Sequence, residues 1–163
     1  MKYIKTTALF SPCMNYRYTL WRDWLGGPYV NFICLNPSTA DEAKDDPTIR
    51  KCVKFANEWY YGSMCVTNLF AFRATKIPDM KKAAEPVGLD NDYWLRIIAK
   101  SARIVVCAWS QQGNHLDRSK TVLERVLKGI PLHYLRMSAE PWHPLYLPDS
   151  TKPTLWNLNS KSR

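Results

Sequence analysis

Apolar runs of strand length alternate along this chain with stretches whose apolar positions recur three and four residues apart. Residues 3–10 and 15–22 carry apolar and aromatic residues on either side of Ser11-Pro12-Cys13-Met14-Asn15, and this turn-rich break reads as the tip of a leading β-hairpin. Gly26-Gly27-Pro28 closes that unit. Tyr29-Val30-Asn31-Phe32-Ile33-Cys34-Leu35 follows, nearly continuous in apolar character, as in a strand buried on both faces. Beyond the loop Asn36-Pro37-Ser38-Thr39, the pair Asp45-Asp46 stands before Pro47, an acidic cap with proline at the first helical position. Ile49, Cys52, Val53, Ala56, Trp59 and Tyr60 then recur at helical spacing, which predicts a helix over 47–60 that stops at Gly62. Residues 64–70 read as the second strand. Strand, helix and strand with short links form a βαβ unit with a parallel pair.

Residues 71–89 are irregular, punctuated by Pro78 and Pro86 and carrying Lys76, Lys81 and Lys82, and long enough to serve a function. Asp90 is expected to cap a second helix whose buried stripe is Tyr93, Trp94, Ile97 and Ile98. The third strand spans 103–109. Asp117 opens a third helix with Val122, Leu123, Val126 and Leu127 on one side, and Gly129 ends it. The fourth strand covers 130–135, with His133 packed inside it.

The expected fold is therefore α/β: a three-layer, four-stranded, mainly parallel sheet with helices on both faces, preceded by a β-hairpin. One domain accounts for residues 1–163, divided into a hairpin extension (1–28), a core (29–148) and a tail (149–163). Ligands on such sheets sit outside the carboxyl ends of the strands. That rule singles out Asn36-Pro37-Ser38, Asn68 with residues 70–73, residues 109–113, and Trp142-His143-Pro144. Two amides, a histidine, an arginine and several aromatics would meet there, a pocket suited to a flat, hydrogen-bonding ligand such as a nucleobase.

Composition narrows the setting. Apolar residues at 46% and charged residues at 23% are those of a chain that folds around a core, which excludes a disordered tail or a disulfide-dense mini-protein. No apolar run approaches the roughly 20 residues that a membrane helix needs. The start, Met1-Lys2-Tyr3-Ile4-Lys5, lacks the sustained apolar stretch of a secretory signal, so the expected setting is the cytoplasm. Cys13, Cys34, Cys52, Cys65 and Cys107 form no C-x-x-C pair and read as mostly buried free thiols; with His115, His133 and His143 scattered, no metal site is expected. Twenty-three Lys and Arg against fourteen Asp and Glu give a net charge of +9, which favours a polyanionic partner, DNA or a nucleotide, although charges near the ends such as Lys2, Lys5 and Lys152 also serve solubility.

The order of Leu35-Asn36-Pro37-Ser38, Val66-Thr67-Asn68-Leu69-Phe70-Ala71-Phe72-Arg73 and His143-Pro144-Leu145-Tyr146-Leu147 resembles the uracil-DNA glycosylase superfamily over residues 29–148. The first motif is most similar to the Asn-Pro motif of its mismatch-specific branch. Ser38 stands where that branch has glycine, Asp41 lies near but not at the carboxylate position of other branches, and the cysteine spacing differs from that of the iron–sulfur branches, so no cluster or other cofactor is expected. Closer still, residues 16–22, 35–41 and 45–50 together with the His143 motif look like domain of unknown function 1643, over nearly the whole chain.

The glycosylase resemblance implies roles that match the chemistry of the side chains. Breaking an N-glycosidic bond builds positive charge on the sugar and negative charge on the departing base, so it calls for a held water and a donor aimed at the base. Asn36 is assigned to the water and His143 to the leaving base; the competing roles are a turn cap for Asn36 and a loop anchor for His143. Asn68 offers a donor and an acceptor to a base edge. Pro37 and Ser38 complete the first motif, Arg73 is a phosphate contact or an exposed ion pair, and Trp109 and Tyr146 are stacking platforms or core aromatics. Asp45 and Asp46 read as helix caps. The leading function is hydrolysis of the glycosidic bond of a flipped base in DNA, modified bases included. The alternatives are a noncatalytic module that binds a nucleotide or modified base, and an N-glycosidase acting on free nucleotides.

Overall fold

The structure is a computed structural model and describes residues 1–158. Its strands are β1 (Lys5–Phe10), β2 (Arg17–Asp23), β3 (Tyr29–Cys34), β4 (Ser63–Asn68), β5 (Ile104–Cys107), β6 (His133–Tyr134) and β7 (Thr154–Leu155). They form one seven-stranded sheet in the order β1-β2-β4-β3-β5-β6-β7. The middle four, β4-β3-β5-β6, are parallel, while β1, β2 and β7 run antiparallel to their neighbours. The expected four-stranded, mainly parallel sheet is thus the centre of a larger mixed one. The hairpin β1-β2 joins that sheet through Leu20↔Val66 and Arg22↔Met64, and β7 brings part of the tail onto its far edge; residues 159–163 of the tail lie outside the described residues.

The helices are α1 (Pro47–Glu58), α2 (Ile77–Lys82), α3 (Asn91–Ser101) and α4 (Arg118–Thr121), the last continuing through a wider turn at Val122–Val126. Asp46 caps α1: its backbone is extended and its Oδ1 accepts the Ile49 amide at 2.9 Å, while Pro47 fills a position whose N–H has no helical partner. Ile49, Cys52, Val53, Phe55 and Ala56 bury one side of α1 against Val30, Phe32, Met64 and Val66. On the opposite sheet face, Leu95 and Ala99 of α3 and Val122 and Val126 beyond α4 pack with Ile33, Val105 and Cys107. Gly62, where α1 gives way to β4, has no room for a side chain: a Cβ there would lie 2.4 Å from the Gly26 carbonyl oxygen.

Several local expectations change. The buried side of α3 is Asn91, Leu95, Ile98 and Ala99; Tyr93 and Ile97 are exposed, and Asp90 makes no side-chain cap. The fourth strand shrinks to two residues, His133 is half-buried, and Asp117 lies in the left-handed region with no capping bond. Asp46 caps as expected, whereas Asp45 accepts from Arg22 at 2.7 Å and from the Tyr3 hydroxyl at 2.5 Å. Cys34, Cys52, Cys65 and Cys107 are buried free thiols; Cys13 is exposed. No helix among the described residues is long and apolar enough to cross a membrane.

Candidate active site

Parallel pairing continues past the ends of β3 and β4, with the Leu69 amide on the Cys34 carbonyl and the Phe70 amide on the Leu35 carbonyl, both at 2.9 Å. The Asn91 side chain reaches the same place from α3 and donates Nδ2 to the carbonyls of Asn68 (2.9 Å) and Leu69 (3.0 Å). Arg118 adds Nε on the Leu69 carbonyl at 2.8 Å. The backbone under Asn68 is therefore fixed from three directions, and its side chain, on a residue only 1% exposed, has a buried Oδ1 with no partner. A buried acceptor left open costs stability, and a ligand donor would relieve it.

Asn36 follows β3. Its Nδ2 donates to the carbonyls of Pro37 (3.0 Å) and Ala74 (2.8 Å), while the Ala74 amide returns a bond to the Pro37 carbonyl at 2.9 Å. Both amide hydrogens are engaged in tying two loops together, so the side chain has only its acceptor oxygen to offer a ligand or water. His143 opens the 3-10 turn Pro144–Tyr146, and its Nδ1 accepts the Leu145 amide at 3.3 Å. That bond places the ring proton on Nε2, making the free side of the imidazole a donor. Burial lowers its pKa below the usual imidazole value, against an opposing effect of the Asp46 carboxylate, and so favours the neutral ring.

These three residues line one cavity of about 300 Å³ at the carboxyl edge of the parallel strands, together with Ser38 and Tyr146. Tyr146 is 77% exposed, its ring 6.0 Å from that of His143. Pro37 is buried beside the cavity and contributes its carbonyl to the loop bonds just described. Arg73 and Trp109 are not among the lining residues. Arg73 donates to the Met14 carbonyl at 3.0 Å and lies 4.7 Å over the Phe10 ring. Trp109 is fully buried, donates Nε1 to Glu140 at 2.6 Å and packs near Trp156, so no ring face is left for a base.

Other lining residues have no site role in the sequence reading, among them Arg17, Asp46, which reads as a helix cap, and Ser110, which lies in the loop 109–113 expected at this edge. Because β2 is antiparallel to β4, its first residue, Arg17, arrives at the edge where the parallel strands end, with its amide on the Ala71 carbonyl at 3.0 Å. Asp46 caps α1 with one oxygen and lines the cavity, and its other oxygen makes no hydrogen bond among the described residues. Ser110, after β5, has φ +67° and ψ −179°, a conformation otherwise nearly reserved for glycine, and its amide holds the Pro141 carbonyl at 2.8 Å, close before His143. Such strain, costing on the order of 1–3 kcal/mol, collects at functional sites. Among the described residues no group of three or more His, Cys, Asp or Glu is arranged to hold a metal ion.

A family model described as "Protein of unknown function (DUF1643)" matches residues 17–145. The chain belongs to the DUF1643 family. The DUF1643 segment contains Arg17, Asn36, Asp46, Asn68, Ser110 and His143, while Tyr146 at the cavity rim falls just past it. No curated protein and no solved structure matched the chain.

Proposed function

We propose that this DUF1643 protein is a uracil-DNA glycosylase-like N-glycosidase that draws a nucleobase into the cavity, flipped from DNA or carried on a free nucleotide, and hydrolyses its bond to the sugar. The supporting observation is the division of polar valences in that one cavity: open acceptors on Asn36 and Asn68 and a donor on Nε2 of neutral His143. Asn68 reads a donor on the base edge. Asn36 Oδ1 holds water for attack on the anomeric carbon. The water oxygen bonds to that carbon, the carbon–nitrogen bond breaks, and its electron pair leaves with the base, where the His143 donor meets the developing charge. The water proton passes to the open oxygen of Asp46 and returns to the base through solvent, so the products are free base and sugar.

The net charge of +9 supports a phosphate-bearing substrate. The alternative, a binding module of the same fold, keeps the pocket without the bond cleavage. Incubation with oligonucleotides and free nucleotides carrying varied bases, followed by mass spectrometry for free base, separates the two. Release of a base supports the enzyme, and tight binding with every glycosidic bond intact supports the module.

A further inference from the structure

Three arginines are buried in this fold: Arg17 is 2% exposed, Arg22 1% and Arg118 4%. Arg22 pairs with Asp45 at 2.7 Å, and Arg118 pairs with Asp92. Arg17 alone among the three has no carboxylate within ion-pair distance. Its Nη1 donates to the Ala40 carbonyl at 2.6 Å, its buried Nε has no partner, and Nη2 makes no hydrogen bond among the described residues. Burial brings its pKa down to about 10, so the group keeps its charge at neutral pH. A buried, charged fork with unused donors is costly unless an anion meets it.

The position of Arg17 says what kind of anion. It lines the same cavity as Asn68, Asn36 and His143, beside the first turn of α1, where Pro47 has no amide hydrogen and Asp46 already accepts the Ile49 amide. Asp46 stands in that wall too: from beyond ion-pair distance its carboxylate partly supports the Arg17 charge, and it works against a second anion. At about 300 Å³ the cavity is at the small end of ligand sites. A phosphate inside a DNA strand carries chain on both sides, which crowds its approach to so deeply buried a guanidinium; a terminal phosphate carries chain on one side only.

We propose that the cavity takes a mononucleotide, with the terminal phosphate on Arg17 and the base on Asn68. The base half of this assignment rests on the nucleobase reading above; the anion half stands on Arg17 alone.

Isothermal titration calorimetry with adenosine, guanosine, cytidine and thymidine, their 5′-monophosphates, inorganic phosphate and a single-stranded oligonucleotide tests it. Wild type is expected to bind at least one monophosphate about ten- to a hundredfold more tightly than its nucleoside, the range of a charge-assisted hydrogen-bonded contact. In R17M that preference disappears, R17K keeps part of it, and D46N strengthens it; circular dichroism of each variant establishes that it is folded. Equal binding of nucleoside and monophosphate, or a preference that survives in R17M, overturns the anion site while leaving the base pocket in place. Binding of inorganic phosphate that depends on Arg17, with no response to any nucleoside, supports the anion site and removes the nucleobase reading. Tighter, Arg17-dependent binding of the oligonucleotide overturns the mononucleotide in favour of DNA, and silence from every probe overturns both halves.

Discussion

Arg17 and Asn68 sit on neighbouring antiparallel strands and line one cavity, the first with an unpartnered donor at Nε and the second with an unpartnered acceptor at Oδ1. Neither satisfies the other, and each is nearly fully buried. A wall carrying both an open donor and an open acceptor suits a ligand that carries both complements, as a nucleotide does in its phosphate and base edge. Leaving the two buried groups unpaired carries a cost to the fold.

That cost is measurable. Replacing the buried charge of Arg17 with an apolar side chain of similar length, in R17M, is expected to raise the stability of the ligand-free protein by about 1 kcal/mol or more in urea unfolding. A marked loss of stability would place Arg17 among residues needed chiefly for folding.

Asn68→Ala is expected to flatten discrimination among bases, since the open acceptor reads the base edge before any bond breaks. Asn91→Ala removes the donor to the Asn68 and Leu69 carbonyls and should cost about 1–3 kcal/mol in stability. Affinities of N68A for the panel of bases and a denaturation curve for N91A check the two separately.

Asp46 caps α1 and, in the proposed reaction, takes the water proton, and one pair of variants divides the two. Asp46→Ala loses the cap on the Ile49 amide and about 1 kcal/mol with it. Asp46→Asn keeps a capping oxygen and removes the charge, so stability should stay near wild type while base release slows. Equal release rates in D46N and wild type would exclude the carboxylate from proton transfer.

The pH dependence follows from His143. Burial depresses its pKa in the folded protein, so the unfolded chain takes up the proton first as pH falls below about 6.5. Its contribution to stability is complete above that pH and is lost as pH falls through the lower folded value. The same protonation would turn Nδ1 into a donor facing the Leu145 amide. Urea unfolding of wild type and H143Q from about pH 7.5 to about pH 5 should show a shallower decline for the variant.

Where the hydrophobic pattern and the buried face coincide, as in α1 from Ile49 to Ala56 behind the Asp46-Pro47 cap, the elements were readable from sequence; Tyr60, counted in the same stripe, lies past the end of the helix at Glu58, takes a positive φ and is 97% exposed. The failures have particular causes. The buried face of α3 includes Asn91, a polar residue placed inward by two carbonyls from a distant strand end, so an apolar stripe points to the wrong side. In the fourth strand Pro131 has no amide to give, and Leu132 spends its carbonyl on the Trp156 amide, leaving two residues to pair with β5. β7 carries no alternation of its own and is exposed. In the site, Asn36, Ser38, Asn68 and His143 follow from the rule that ligands sit at the ends of parallel strands. Arg17 escapes that rule because an antiparallel neighbour delivers its first residue to the same edge, a pairing that local sequence does not encode.

In the proposed reaction His143 aids departure of the base from this cavity. The most direct measurement is the single-turnover rate of base release by wild type and H143A, taken alongside affinity for the same substrate. Wild type is expected to release base, with a loss on the order of a hundredfold in H143A and little change in binding, because the donor acts chiefly as charge develops in the transition state. Release that is indifferent to the loss of His143 would remove the donor role from that residue, and a wild type that binds the base and never frees it would rule out the hydrolysis.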